Sequence, residues 1–121
     1  MPVLACATAL AMRVLALHFQ PYVTFDGTEY VRFAEALRRG QPFASVFPPG
    51  YPALIALART LVEDRVGAAV AVSLACGTLL PLPVWWLARR ALSSRWAAVP
   101  AFVVALHPEL ARFSAVTMSE S

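Results

Sequence analysis

The sequence contains no lysine. Its ten basic residues are all arginine, set against seven acids for a formal charge of +3. Charged residues make up only 14% of the chain and hydrophobic ones 60%, where a soluble domain carries about a quarter charged residues. That balance excludes a disordered chain and argues against a soluble enzyme of this size. Cysteine is scarce: Cys6 and Cys76 both sit in apolar runs, giving no disulfide framework and no metal-ligand spacing. Both read as small buried hydrophobes. There is no glycine-rich phosphate loop, no internal repeat and no low-complexity tract. Proline, by contrast, is plentiful. Ten prolines, several beside apolar runs, are many for a soluble helical bundle, and transmembrane helices tolerate proline better.

Crossing a bilayer core of about 30 Å takes about 20 mostly apolar residues. Residues 66–88 carry no charge and reach roughly 35 Å as a helix, enough to span with some tilt. Pro81 and Pro83 predict a kink or frayed end in the last third. Residues 3–19 form a second span, interrupted by Arg13. An arginine in lipid costs on the order of 2.5–3.5 kcal/mol, so Arg13 must snorkel outward or face the protein interior. A secretory signal peptide fits poorly because no positive segment precedes the apolar run. Residues 96–110 make a shorter third span, and a fourth begins near 113–121.

Orientation follows from the loop at 88–96. It holds Arg89, Arg90 and Arg95, no acid, and tryptophans on both sides (Trp85, Trp86, Trp96). A short arginine-rich loop stays cytoplasmic, and tryptophans mark the headgroup level. The N-terminus is then inside and the long, charge-balanced segment 20–65 outside. Within that segment Tyr30, Phe33, Ala34 and Leu37 recur at helical spacing. Glu29 with Arg32, and Glu35 with Arg38 and Arg39, form the polar side. Asp26 and Glu29 resemble a capping box, and Gly40 a C-terminal cap, predicting a surface helix over 27–39. Pro48-Pro49-Gly50-Tyr51-Pro52 predicts a rigid extended turn. The apolar stretch 53–62 is too short to span and suits an interfacial or re-entrant helix. The expected fold class is therefore an all-α integral membrane unit: about three spans and an external loop of amphipathic helices.

Several of these segments, taken in order, carry a resemblance. Phe25-Asp26-Gly27-Thr28-Glu29-Tyr30 is followed by Ala34-Glu35-Ala36-Leu37, Gly40 and Phe47-Pro48-Pro49-Gly50-Tyr51-Pro52. Ala88-Arg89-Arg90, His107-Pro108-Glu109 and Met118-Ser119-Glu120 come after. The series resembles the N-terminal part of family 39 membrane glycosyltransferases, relatives of protein O-mannosyltransferases and aminoarabinose transferases that share the multi-span glycosyltransferase fold called C. The resemblance covers nearly the whole chain, but such enzymes are several times longer, so it implies either an N-terminal fragment or a truncated gene product. It also implies a polyprenyl-phosphate sugar donor, an acceptor hydroxyl on a lipid, protein or glycan, and an active face outside the bacterial plasma membrane. Neither a cofactor nor a nucleic acid is implied.

The resemblance makes Asp26 and Glu120 the catalytic candidates, and Arg59, Tyr51 and Glu29 the substrate-binding ones. A carboxylate there would take the proton from the acceptor hydroxyl, and arginine would hold the departing phosphate. Each residue also has a plainer reading. Asp26 and Glu120 can simply cap helices, Arg32, Arg38 and Arg39 can be a solvated face, and the proline turn can be structural. His18, His107, Asp26, Glu109 and Glu120 all fall near the external face but lack metal-ligand spacing. The functional alternative is a small non-catalytic membrane protein, or an accessory subunit, packing against a larger partner.

Overall fold

A computed structural model describes residues 1–19, 25–44, 46–93 and 95–115; the side chains of Phe25, Asp26 and Ala115 lie outside that description. The elements are seven α-helices: α1 (Pro2–Phe19), α2 (Phe25–Arg38), α3 (Gly50–Ala58), α4 (Arg65–Leu79), α5 (Pro81–Ala88), α6 (Ala98–Leu106) and α7 (Pro108–Ala115). Two stretches, Pro2–Phe19 and the near-continuous Arg65–Ala88, are long and apolar enough to cross a membrane. They match the first two expected spans.

The packing follows from where the small residues fall. α1 buries Ala5, Ala9 and Arg13; α4 buries Ala69, Ser73 and Gly77; α6 follows buried Ala97 with Ala101 and Ala105. Each set repeats every four residues, so it lies along one helix face. Small residues at that spacing let helix backbones approach closely, and α1 packs against α4, α5, α6 and α7. The large apolar residues lie outside: Val3, Leu4, Leu10, Val14 and Leu15 on α1, Val99 and Val103 on α6. Together they give the bundle an extensive exposed apolar surface.

α2 and α3 form a second layer against the first half of α4. Tyr30 and Ala34 of α2, Ile55 of α3, and Ala68, Ala69 and Val72 of α4 make one buried cluster. Leu54, Leu57 and Leu61, on and just beyond α3, stay exposed. They line an open apolar groove with Val72, Ala75 and Cys76 of α4, the kind of surface an interfacial helix gives to lipid.

Helix ends follow local rules. Gly40 adopts φ +64, Gln41 N–H bonds Ala36 C=O at 2.9 Å and Gly40 N–H bonds Leu37 C=O at 3.2 Å. That is the Schellman pattern expected of a glycine cap. Asp64 caps α4 through the Gly67 N–H. α4 passes into α5 at Leu80, whose backbone is still helical, with Pro81 opening α5. The joint sits where the two prolines predict it.

Five expectations need correction. Cys76 is exposed and Cys6 only partly buried, because neither lies on the small-residue face along which its helix packs. The proline turn is not wholly extended: α3 begins at Gly50 and includes Tyr51 and Pro52. First-turn residues have no intrahelical acceptor for their N–H, so proline costs nothing there. The surface helix starts at Phe25, which puts Asp26 inside its first turn rather than just before it. Leu37 leaves the core face and is exposed, because Gly40 turns the chain away beneath it. Last, the third span over 96–110 is not one helix. His107 is extended (φ −65, ψ 117) between α6 and α7, because a residue before proline is driven out of the helical region. Nine-residue α6 covers about 13.5 Å, under half the bilayer core. α7 already occupies the start of the expected fourth span, whose remainder, with Glu120, lies outside the described residues.

Candidate functional site

The charge pairs of the surface helix form as their spacing predicts. Glu29 holds Arg32 at 3.0 Å, and Glu35 holds Arg38 at 3.4 Å and Arg39 at 3.2 Å. Folding adds a third arginine: Arg59, at the end of α3, places Nε 3.8 Å from Glu35 Oε2. Its Nη1 donates to the Val62 carbonyl at 3.0 Å. Three guanidinium groups thus share one carboxylate where α2 and α3 both end. Burial would raise the Glu35 carboxyl, but Arg38, Arg65, Arg39 and Arg59 outweigh it and hold the group below its ordinary value of 4.5. Arg65 directly follows Glu63 and Asp64, so the local positive excess rests on Arg38, Arg39 and Arg59 around Glu35.

Because Glu35 titrates lower in the folded chain, its stabilising contribution is present above the ordinary carboxylate value and is lost as pH falls through the folded value. Wild type should therefore exceed Glu35→Gln in stability at neutral pH, with the gap closing in acid and shrinking in high salt. Paired thermal unfolding curves at pH 7 and pH 3 measure this; a gap that stays constant contradicts it.

The remaining candidates fall into three groups. Tyr51 is half-buried, with its hydroxyl 2.7 Å from Ser73 Oγ and donating to the Ala69 carbonyl at 3.2 Å. Its ring meets Tyr30 edge-on at 5.1 Å, and Tyr30 also packs on Phe47 at 4.8 Å. Burial pushes the phenol up, against the pull of the Ser73 hydrogen bond. Tyr51 therefore fastens α3 to α4, and its hydroxyl already has partners. Glu29 is engaged with Arg32. Arg59 is 13% exposed at the side chain and held by Glu35 and Val62, whereas Arg39 is 57% exposed. Arg38 and Arg39, not Arg59, are the arginines that can reach a ligand.

Asp26 and the arginine cluster stand at opposite ends of α2. Nine residues separate Asp26 from Glu35, about 13.5 Å along the axis. Arg32 is closer to Asp26, at about 9 Å. Asp26 and the arginine cluster are therefore not one local site, and Glu120, the other catalytic candidate, lies outside the described residues. On the other side of the bundle, a cleft of about 210 Å³ opens between α1 and α7. Met12, Leu15, Phe19, Pro108 and Ala111 line it, and Arg112 is its charged member. Arg112 pairs with Glu109 at 2.8 Å. Among the described residues no three His, Cys, Asp or Glu side chains gather as a metal site would require.

One polar junction takes the second of the two placements open to Arg13, the protein interior. Arg13, 1% exposed, donates from Nε to Ser114 Oγ at 3.0 Å and from Nη1 to the Ala9 carbonyl at 3.1 Å. Its Nη2 is buried with no hydrogen-bond partner among the described residues. Gly77 lies directly against it: a Cβ there would come within 2.3 Å of Arg13 Nε and 2.4 Å of Ser114 Oγ. The small residues at 69, 73 and 77 were the available signal, since a gap in α4 is what lets an arginine turn inward.

No protein-family model, curated protein or solved structure matches this chain.

Proposed function

We propose that the chain is the N-terminal part of an integral-membrane glycosyltransferase of the bacterial plasma membrane. It would move a sugar from a polyprenyl-phosphate donor to an acceptor hydroxyl on the external face. The observation that carries the reading is the arginine excess around Glu35, on a helical layer with a leucine face suited to lying in the interface. A lipid-linked phosphate presents its charge at that boundary, and planar guanidinium groups bind phosphate bidentately. Arg38 and Arg39 take the phosphate. Asp26, at the far end of the same helix, serves as base toward the acceptor. The distance between them requires a donor whose sugar extends along α2, or further parts of the enzyme that fold over it.

The test has two parts. Reporters fused after Arg90 and after Gly40 should report from the inside and the outside of the cell respectively; both on one side rejects the topology. The gene is then expressed with whatever coding sequence continues past Ser121. Membrane vesicles are assayed for transfer from a labelled polyprenyl-phosphate sugar. Transfer that falls about tenfold or more in Arg38→Gln/Arg39→Gln supports the reading. No transfer from any such donor, with the topology correct, leaves the accessory-subunit alternative in its place.

A further inference from the structure

The second positive cluster lies at the other end of the bundle, and the proposed transferase site makes no use of it. α5 ends at Ala88, and the turn to α6 carries Arg89, Arg90 and Arg95, all exposed. The sequence has no acid between Asp64 and Glu109, so the turn has no carboxylate of its own. Arg89 lies over the Trp85 ring with its guanidinium carbon 4.8 Å from the centroid, and Arg90 over Trp86 at 3.9 Å. Stacking uses the face of a guanidinium and leaves its edge N–H groups directed outward. Around these edges the surface is apolar: Trp86, Leu87, Leu92 and Trp96 are 56%, 63%, 47% and 68% exposed.

We infer that the α5–α6 turn is a binding site for the headgroup of an anionic phospholipid. The stacked guanidinium edges accept the phosphodiester, and Leu87, Leu92 and Trp96 lie against the glycerol and upper acyl chains. The mixture of surfaces selects this partner. A water-soluble polyanion would satisfy the arginines but leave those apolar groups in water. A neutral phospholipid would cover the apolar groups but leave three cations without a net counter-charge. An anionic lipid meets both demands, and it is available in the leaflet that this end of α5 reaches. Arginine near such a surface contributes roughly fivefold in binding per residue.

All three tryptophans of the chain, Trp85, Trp86 and Trp96, lie at or beside this turn, so tryptophan fluorescence reports from it alone. The experiment reconstitutes the full 121-residue chain in bilayers and measures tryptophan quenching by brominated phosphatidylglycerol and brominated phosphatidylcholine at equal mole fraction. The expected result is a clear preference for phosphatidylglycerol. Arg90→Gln should reduce it about fivefold, and Arg89→Gln/Arg90→Gln/Arg95→Gln should abolish it. The single variant keeps two arginines and hence the loop's orientation, so it decides the matter if the triple variant does not insert. Equal quenching by the two lipids in wild type overturns the site. So does an undiminished preference in Arg90→Gln. Displacement of the brominated lipid by millimolar inorganic phosphate would mean that free phosphate, not a lipid, is the ligand.

Discussion

Asparagine in place of Asp26 should lower sugar transfer by the complete enzyme on the order of 100-fold or more. Asp26 stands in the first turn of α2, where backbone N–H groups lack intrahelical acceptors and the helix dipole favours negative charge. A purely structural carboxylate there is worth about 0.3–1 kcal/mol through the dipole. Asparagine keeps the size and much of the hydrogen-bonding capacity while removing the base. The two roles therefore differ by orders of magnitude in turnover and hardly at all in stability. Alanine would remove both contributions together and decide nothing. The measurement is initial rate at saturating donor, with the variant present in the membrane at wild-type level. Retention of more than about a third of wild-type turnover excludes a general-base role worth the usual two orders of magnitude and makes Asp26 a helix-terminal residue.

The second large effect is expected inside the bundle. Gly77→Ala should destabilise the chain by about 1–3 kcal/mol, the usual range for overpacking, because the new methyl would overlap Arg13 Nε and Ser114 Oγ. Neither neighbour can swing into open space, since both are 1% exposed. Arg13→Ala clears the obstruction. The double variant should then be more stable than the sum of the single effects by about 0.5–3 kcal/mol, the coupling seen between residues in contact. Arg13→Met adds a separate expectation. It keeps most of the volume and removes a buried charge that has no carboxylate partner among the described residues, so it should be neutral or stabilising. Denaturant titrations of the four chains in one detergent measure the coupling. Strict additivity would show that Gly77 and Arg13 do not share the space.

The layer of α2 and α3 was readable where a rule depends on a few adjacent residues. Glu29 finds Arg32, and Glu35 finds Arg38 and Arg39, because i,i+3 and i,i+4 neighbours on a helix have no choice of partner. Arg59 was expected to bind substrate, but its partner is 24 positions away on α2. That partner converts it from a candidate ligand into a strut between two helices. Tyr51 changed in the same way once Ser73 and the Ala69 carbonyl stood within reach of its hydroxyl.

By itself, the sequence determined the helical content, the two long apolar helices, the glycine cap at Gly40, the proline joint before α5 and the acid-free arginine turn after it. Each depends on backbone sterics, hydropathy or charge over a few turns, and no distant contact can easily reverse them. Only the tertiary structure decided which way Arg13 points, that Gly77 makes room for it, that α2 and α3 lie beside α4, and that Asp26 and the arginines sit at opposite ends of one helix. These depend on which helix faces meet. With so many apolar residues on every side of α1, α4, α5 and α6, hydrophobicity does not choose their faces. The small residues do, by setting where two backbones can come close.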